Sequence, residues 1–171
     1  ERDGSHVWIG FLRVNTKTAT VDGDFRRPPN LPPGKQSFGY GFGVTSTGDP
    51  YGTNGVGNPG MIYGVDVVKN EGTFYEAPLY GARRGTMDAQ DRFWFAYYGH
   101  DALGMFDTKT ERFQEWEVPT PWSGPYDVAL DRNGEAWTGS MLNDRIARLN
   151  TKTGQFVEYL LPRTTNVRRV F

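Results

Sequence analysis

Residues 124–162 read GPYDVALDRNGEAWTGSMLNDRIARLNTKTGQFVEYLLP, and their landmarks recur 43 residues earlier in the chain. The matched pairs are Asp88 and Asp131, Trp94 and Trp137, Asp107 and Asn150, Phe113 and Phe156, and Pro119 and Pro162. Matches that keep one register indicate an internal repeat, which has to be identified before any single segment is interpreted. A weaker copy lies one period further upstream, where Tyr40 stands 86 residues before Tyr126.

The clearest copy of the repeat predicts four short antiparallel strands. Residues 126–130 and 145–149 alternate polar and apolar side chains, as half-buried strands do. Asp131-Arg-Asn-Gly134 is a hairpin signal between the first two strands, and Pro162 ends the last strand, where a missing N–H matters least. Four such strands every ~40–45 residues predict the blade of a β-propeller.

The repeat divides the chain into blades. Residues 38–80, 81–123 and 124–166 are predicted as full blades, 1–37 as part of an earlier blade and 167–171 as the first strand of a later one. We therefore expect an all-β, incomplete β-propeller and a fragment of a longer protein, because a ring closes with 4–8 blades. Trp94 and Trp137 are expected at equivalent buried positions between blades, with an aromatic substrate box as the alternative.

The composition excludes several classes of function. The chain has 171 residues and no cysteine, so disulfides, thiolate metal sites and cysteine nucleophiles are absent. The net charge is −1, which gives no indication of a nucleic-acid or anionic-membrane partner. No apolar run is long enough to predict a membrane span.

The repeat unit resembles that of the virginiamycin B lyase (streptogramin lyase) family. That family repeats G-P-x-G-I-x-x-x-x-x-G-x-x-W-F-T-E and I-G-R-F-D-P-x-T-G-x-F-x-E-Y-x-L-P; here the best copy reads G-P-Y-D-V-A-L-D-R-N-G-E-A-W and I-A-R-L-N-T-K-T-G-Q-F-V-E-Y-L-L-P. The resemblance is close over residues 81–166 and loose over 1–80. It implies a periplasmic or secreted propeller of about seven blades.

The resemblance also implies what a lyase would need. Such an enzyme opens a cyclic depsipeptide by proton abstraction and C–O cleavage with Mg²⁺, using histidines at the third position of G-P-x-G-I and acidic residues nearby. Here the histidine position holds Tyr40, Arg83 and Tyr126, and the acidic position holds Asn54, Tyr97 and Ser140. We therefore expect no catalytic residue in this chain, although further blades could supply such residues. A need for Mg²⁺ is expected only if they do.

No metal or phosphate site is predicted from the remaining motifs. His100 is expected in a solvated loop, and His6 has no second ligand at a useful spacing for zinc. Asp22-Gly-Asp24 could bind calcium, but an ordinary turn is the preferred interpretation. The glycine-rich segment 54–60 does not open a helix, so it is not expected to hold a phosphate.

Two arginine pairs precede predicted innermost strands, where a propeller has its central channel. With two tyrosines they form the predicted ligand-binding set: Tyr40, Arg83, Arg84, Tyr126, Arg168 and Arg169. Paired guanidinium groups can hold a carboxylate or phosphate through two hydrogen bonds, so the expected ligand is an anionic small molecule or an acidic protein segment. The alternative is that these arginines form ion pairs between blades.

Three functional hypotheses follow from the sequence. The first is a non-catalytic ligand- or protein-binding domain of a larger exported protein. The second is a C–O lyase with catalytic residues in blades outside this chain. The third is a subunit of a complex in which another chain closes the ring.

Overall fold

The computed structural model describes residues 3–170, and within that range every regular element is a β-strand. The first sheet has three strands, β1 (His6–Ile9), β2 (Leu12–Asn15) and β3 (Thr20–Asp24). The second has four, β4 (Phe42–Val44), β5 (Pro50–Thr53), β6 (Met61–Asp66) and β7 (Glu71–Glu76). The third contains β8 (Ala82–Met87), β9 (Arg92–Tyr97), β10 (Ala102–Asp107) and β11 (Arg112–Glu117). The fourth contains β12 (Ala129–Leu130), β13 (Ala136–Gly139), β14 (Arg145–Asn150) and β15 (Gln155–Leu160).

Each sheet pairs its strands in chain order and antiparallel, which is the arrangement of a propeller blade. The sheets form an arc that does not close into a ring, so the predicted all-β, incomplete propeller is confirmed. No helix among residues 3–170 has the length and apolar character needed to cross a membrane.

The third and fourth sheets keep one register. Ala102 of β10 pairs with Glu117, and Arg145 of β14, one period later, pairs with Leu160. The 43-residue repeat seen in the sequence is therefore a repeat of hydrogen-bonding partners.

The predicted strand over 167–171 is not formed in its described part. Residues 161–170 belong to no strand, although the Val167 amide donates to the Ser140 carbonyl at 3.0 Å. The first strand of a blade pairs with the second strand of that blade, and residues 3–170 contain no such strand beyond β15. Phe171 lies outside the described residues.

Hydrophobic clusters fill the spaces between successive sheets. The first and second sheets bury Phe11, Phe25, Tyr63 and Val65. The second and third bury Ile62, Phe93, Phe95 and Phe106, and the third and fourth bury Trp94, Leu103, Val128, Ala136 and Leu149. Burial of these apolar faces is the main force that holds one blade against the next.

The two repeat tryptophans differ in burial, so the expectation that both are buried is wrong for Trp137. Trp94 is 1% exposed and is covered by residues of the fourth sheet. The Trp137 indole donates a hydrogen bond to Asp131, as the Trp94 indole does to Asp88. Trp137 is nevertheless only partly buried, because no sheet follows the fourth one among residues 3–170.

The antiparallel order places one set of loops on a single face of the arc. Innermost strands β4, β8 and β12 begin at this end, and the second strands β5, β9 and β13 end there. The loops at this end, which we call the upper face, are 54–60, 77–81, 98–101, 118–128 and 140–144. The hairpin turns of the other end form the lower face.

Candidate functional site

Arg83 and Arg84 lie in a β-bulge at the start of β8. The pairs on either side are Ala82 with Tyr97 and Gly85 with Phe95, so the two arginines oppose a single residue of β9. In a regular strand, adjacent side chains point to opposite faces of the sheet. Here both guanidinium carbons lie near the same Tyr40 ring, at 5.4 Å for Arg83 and 5.2 Å for Arg84 from its centroid. The bulge therefore allows both guanidinium groups to approach the Tyr40 ring.

The second sheet has a β-bulge at the equivalent position. The Tyr40 amide donates to the Thr53 carbonyl at 2.9 Å, and the Thr53 amide donates to the Gly41 carbonyl at 3.0 Å. Tyr40 and Gly41 therefore oppose Thr53 alone.

The fourth sheet also has a β-bulge at the equivalent position. Pro125 pairs with Ser140, and Ala129 pairs with Trp137. Three residues lie between Pro125 and Ala129, whereas only two lie between Trp137 and Ser140. The extra residue lies in the stretch that contains Tyr126. Positions 40, 83 and 126 are thus equivalent in structure as well as in spacing.

The Arg83 guanidinium is surrounded by three tyrosine rings. Its central carbon lies 5.4 Å from the ring centroid of Tyr40, 4.7 Å from that of Tyr98 and 5.2 Å from that of Tyr126. The Arg83 Nη1 donates to the Tyr40 hydroxyl at 3.4 Å, and the hydroxyls of Tyr40 and Tyr126 are in hydrogen-bond contact. Cation–π attraction to three rings fixes this side chain. We call Tyr40, Arg83, Arg84, Tyr98 and Tyr126 the arginine–tyrosine cluster.

The two arginines of this cluster lack acidic partners. Among residues 3–170, no carboxylate forms an ion pair with Arg83 or Arg84. The Nε of each is buried and has no hydrogen-bond acceptor in this part of the chain. Buried polar groups in proteins are nearly always hydrogen-bonded, because an unsatisfied donor costs about 1–3 kcal/mol. Both side chains are only half-buried, so an external anion can approach the accessible parts of the two guanidinium groups but not the buried Nε atoms.

The pKa of Tyr40 is consistent with this positive charge. Partial burial acts to raise the pKa of the Tyr40 phenol, but the hydrogen bond from Tyr126 and the hydrogen bond and charge of Arg83 outweigh it. The pKa is therefore lowered from its ordinary value. The charges of Arg83 and Arg84, which contribute to this lowering after the hydrogen bond with Tyr126, would also favour an anion bound beside Tyr40.

The second arginine pair is arranged differently. Arg169 donates through Nε to Asp127 at 3.0 Å, and Arg168 donates to Asn166 on its own segment at 3.2 Å. Burial raises the pKa of Asp127, while the charges of Arg169 and Arg84 act in the opposite direction. Ion pairing between segments, the alternative considered from the sequence, thus describes Arg169. Arg83 and Arg84 form no ion pair with a carboxylate in residues 3–170, although the charge of Arg84 acts on Asp127.

The positions that the lyase family uses for acidic residues have structural contacts here. Tyr97 is fully buried, and burial raises the pKa of its phenol. Ser140 donates to the Ser123 carbonyl, and the Asn54 side chain bonds the backbone of Pro59 and Met61. These contacts tie loops together.

The histidines and acidic turns do not form a metal site in the described part of the chain. His100 is exposed and lies edge-on to Tyr80 with ring centroids 4.4 Å apart. Asp22 contacts His6 and Arg13, so its carboxylate is already engaged. No group of three His, Cys, Asp or Glu side chains among residues 3–170 is placed to hold a metal ion.

Sequence reasoning missed two residues of this region. Tyr98 follows the position at which the lyase family has an acidic residue, and Asp127 occupies the glycine position of G-P-x-G-I. Asp127 departs from the repeat pattern, and this departure is the signal that would have identified it. The pattern fixes no residue at position 98, so it gave no signal for Tyr98.

The fold and the blade register define this chain as part of a β-propeller. A streptogramin B lyase structure is similar to it with 26% identity and a TM-score of 0.65, covering 72% of this chain and 41% of that one. A catalytically inactive virginiamycin B lyase from Staphylococcus aureus with quinupristin gives 28% identity and a TM-score of 0.65, covering 73% and 42%. Selenomethionine-substituted virginiamycin B lyase from the same species gives 22% and 0.70, covering 94% and 50%.

The resemblance to streptogramin lyases seen in the sequence is therefore confirmed in the structure. The chain spans 41–50% of the length of these three proteins. Hydrazine synthase from Kuenenia stuttgartiensis, at 16% identity and a TM-score of 0.67, shares the fold alone. The sequence matches no family model and no curated protein.

Proposed function

We propose that this chain is the ligand-binding part of an exported β-propeller and that it binds an anion at the arginine–tyrosine cluster. The observation that carries the proposal is the pair Arg83 and Arg84, whose guanidinium groups both lie near the Tyr40 ring and form no ion pair with a carboxylate in residues 3–170.

The chemistry of the cluster favours an oxyanion. Guanidinium groups present parallel N–H donors that match the two oxygens of a carboxylate or phosphate. The tyrosine rings hold Arg83 in place beforehand, so less side-chain entropy is lost when the ligand binds. Hydrogen bonds to charged groups contribute about 1.5–3 kcal/mol each, enough for selective binding of a small anion.

Replacement of Arg84 by glutamine tests this proposal. Arg84→Gln removes a charge that makes no described ion pair, so the fold should be retained. Binding of inorganic phosphate or acetate, followed by isothermal titration calorimetry, should weaken by about tenfold or more. Arg132→Gln, an exposed arginine in a lower-face turn, is the control and should bind as the unchanged protein does.

The salt dependence provides a second criterion. Charge-driven binding at an open site weakens as salt is added. Anion affinity that is the same in Arg83→Gln, Arg84→Gln and the unchanged protein would contradict the proposal.

Export and ring closure are further parts of the proposal. Localisation to the periplasm or outside the cell is supported by the resemblance to streptogramin lyases. Closure by further blades or by another chain is supported by the half-exposed aromatic face of the fourth sheet, where Trp137 stacks on Tyr159 at 5.8 Å.

The alternative function is a C–O lyase with catalytic residues in blades outside this chain. The identity of 26–28% to two streptogramin-type lyase structures favours it. We expect the 171-residue chain alone not to linearise a streptogramin B antibiotic, with or without Mg²⁺. Elimination leaves the mass unchanged, so chromatographic separation of ring and linear isomer is the measurement. Ring opening that is lost in His100→Ala would contradict this expectation.

A further inference from the structure

The upper face exposes large apolar side chains around the arginine–tyrosine cluster. Val56, Trp122 and Leu142 are 71%, 78% and 56% exposed, and Tyr80 is also exposed. Among the described loops of the second to fourth sheets, the lower face exposes one comparable side chain, Val68. Exposed apolar groups gathered on one face mark interaction sites. We call Val56, Tyr80, Trp122 and Leu142 the apolar crescent.

The crescent is continuous with the cluster at its Leu142 end. A Cβ atom placed on Gly124 would lie 2.9 Å from the Leu142 Cγ and 3.1 Å from the Tyr98 Cε2. Leu142 and Tyr98 therefore approach each other over Gly124, and Tyr98 in turn packs on Arg83.

Val56 and Tyr80 of the crescent are linked to the cluster through neighbouring residues. A Cβ atom on Gly55 would lie 2.9 Å from the Tyr40 Cγ, so Gly55, the residue before Val56, lies against Tyr40. Tyr80 lies against Gly99, the residue after Tyr98. Apolar surface therefore flanks the paired arginines on more than one side.

We propose that the ligand of this site is an acidic peptide segment whose carboxylate is flanked by apolar side chains. The proposal rests on the anion-binding function above and names its ligand class. An Asp or Glu carboxylate supplies a negative charge to Arg83 and Arg84, which form no ion pair with a carboxylate in residues 3–170. Its apolar neighbours cover Leu142 and Tyr98 on one side and Val56 on the other.

Two features favour a peptide over an inorganic anion. The crescent extends over loops of three successive blades, which is wider than a phosphate or an acetate can contact. Tyrosine, tryptophan and arginine are the residue types that dominate the binding energy at protein interfaces. A ligand that contacts the arginines alone would leave this apolar surface exposed.

Three peptides separate the charge from the apolar contacts. Ac-Phe-Asp-Leu-NH2 carries both, Ac-Phe-Asn-Leu-NH2 lacks the charge, and Ac-Gly-Asp-Gly-NH2 lacks the apolar side chains. By calorimetry, the first should bind about tenfold or more tightly than either of the others. Leu142→Ser should weaken binding of the first peptide and leave phosphate binding unchanged. Val68→Ser, at an exposed lower-face position, is the matched control and should alter neither.

The outcomes distinguish this proposal from the anion-binding function. Equal affinity for the Gly-Asp-Gly and Phe-Asp-Leu peptides, with both lost in Arg84→Gln, would overturn the peptide proposal and support anion binding. Equal affinity for the Asp and Asn peptides would overturn both. Absence of binding by every probe up to about 10 mM would also overturn both.

Discussion

Asp88 shows how one side chain fixes the end of a blade. Its carboxylate accepts hydrogen bonds from the Gln90 and Arg92 amides, from the Arg92 Nε and from the Trp94 Nε1. It thereby holds the turn between β8 and β9 and orients the buried indole. Asp131 repeats this role for Trp137 in the fourth sheet at 3.0 Å, but closer to solvent.

The buried position of Asp88 predicts a dependence of stability on pH. Partial burial acts to raise the pKa of Asp88, but its hydrogen bonds from Arg92, Trp94 and Gln90 outweigh this and lower the pKa below 3.8. A carboxylate with a depressed folded-state pKa stabilises the fold above its unfolded value, and this contribution is lost as the pH falls through the folded value. Asp88→Asn should therefore lose less stability than the unchanged protein between about pH 6 and pH 3.

Urea unfolding midpoints across this pH range are the measurement. Asp131→Asn is the comparison, because the pKa of Asp131 is also lowered by the hydrogen bond from Trp137 but the residue is less buried than Asp88. It should flatten the pH dependence less, since solvent weakens the interactions of a less buried group. Parallel pH profiles for Asp88→Asn and the unchanged protein would contradict the prediction.

At the scale of the strand, the sequence predicted the four-stranded blade but not every strand boundary. The strand predicted over 145–149 is β14, whereas of the strand predicted over 126–130 only Ala129–Leu130 forms, as β12. The sequence placed Tyr40, Arg83 and Tyr126 at one repeat position. The structure brings them together because this position lies on adjacent inner strands.

The β-bulges were beyond the sequence argument. Simple alternation would send Arg83 and Arg84 to opposite faces of the sheet, and a bulge adds one residue without a change in composition that marks it. The burial of Trp137 was also mispredicted, because burial depends on the next sheet and not on the residue's own repeat. The first error arises within one blade, and the second arises because the next blade sets the environment of Trp137.

Close packing of the inner strands predicts that Gly41 is required beside the cluster. A Cβ atom on Gly41 would lie 2.5 Å from the Arg83 carbonyl oxygen and 3.1 Å from the Arg84 Cα. These are backbone atoms, so Gly41→Ala would push β8 away from its neighbour. We expect a loss of about 1–3 kcal/mol in the free energy of unfolding, together with weaker anion binding.

Gly39→Ala is the matched control for this substitution. Its nearest contacts would be side-chain carbons of Phe11 and Phe42 at 3.4 Å, which is ordinary van der Waals distance. Denaturant unfolding of the two variants should therefore separate them clearly. An equal loss at both positions would mean that the inner strands do not pack as closely as the structure shows.

At the scale of the whole molecule, each sheet is stabilised by the one that follows it. The Trp94–Trp116 stack, with ring centroids 5.2 Å apart, is covered by Val128, Ala136 and Leu149 of the fourth sheet. The equivalent Trp137–Tyr159 stack has no such cover among residues 3–170, and Tyr159 is 41% exposed. The repeat therefore indicates the chemistry of what would cover it, which is the apolar face of another blade.

This asymmetry predicts different costs for the same substitution at the two repeat positions. Trp94→Ala removes a fully buried ring and should cost about 3–5 kcal/mol in the free energy of unfolding. Trp137→Ala removes a partly exposed ring and should cost about 1–2 kcal/mol in the 171-residue chain. Urea unfolding of both variants measures the difference.

If a further blade, or another chain, covers the fourth sheet, the cost of Trp137→Ala should rise toward that of Trp94→Ala in the extended or assembled protein. Equal costs in the chain alone would contradict the exposed position of Trp137, and an unchanged cost after extension would contradict closure at this face.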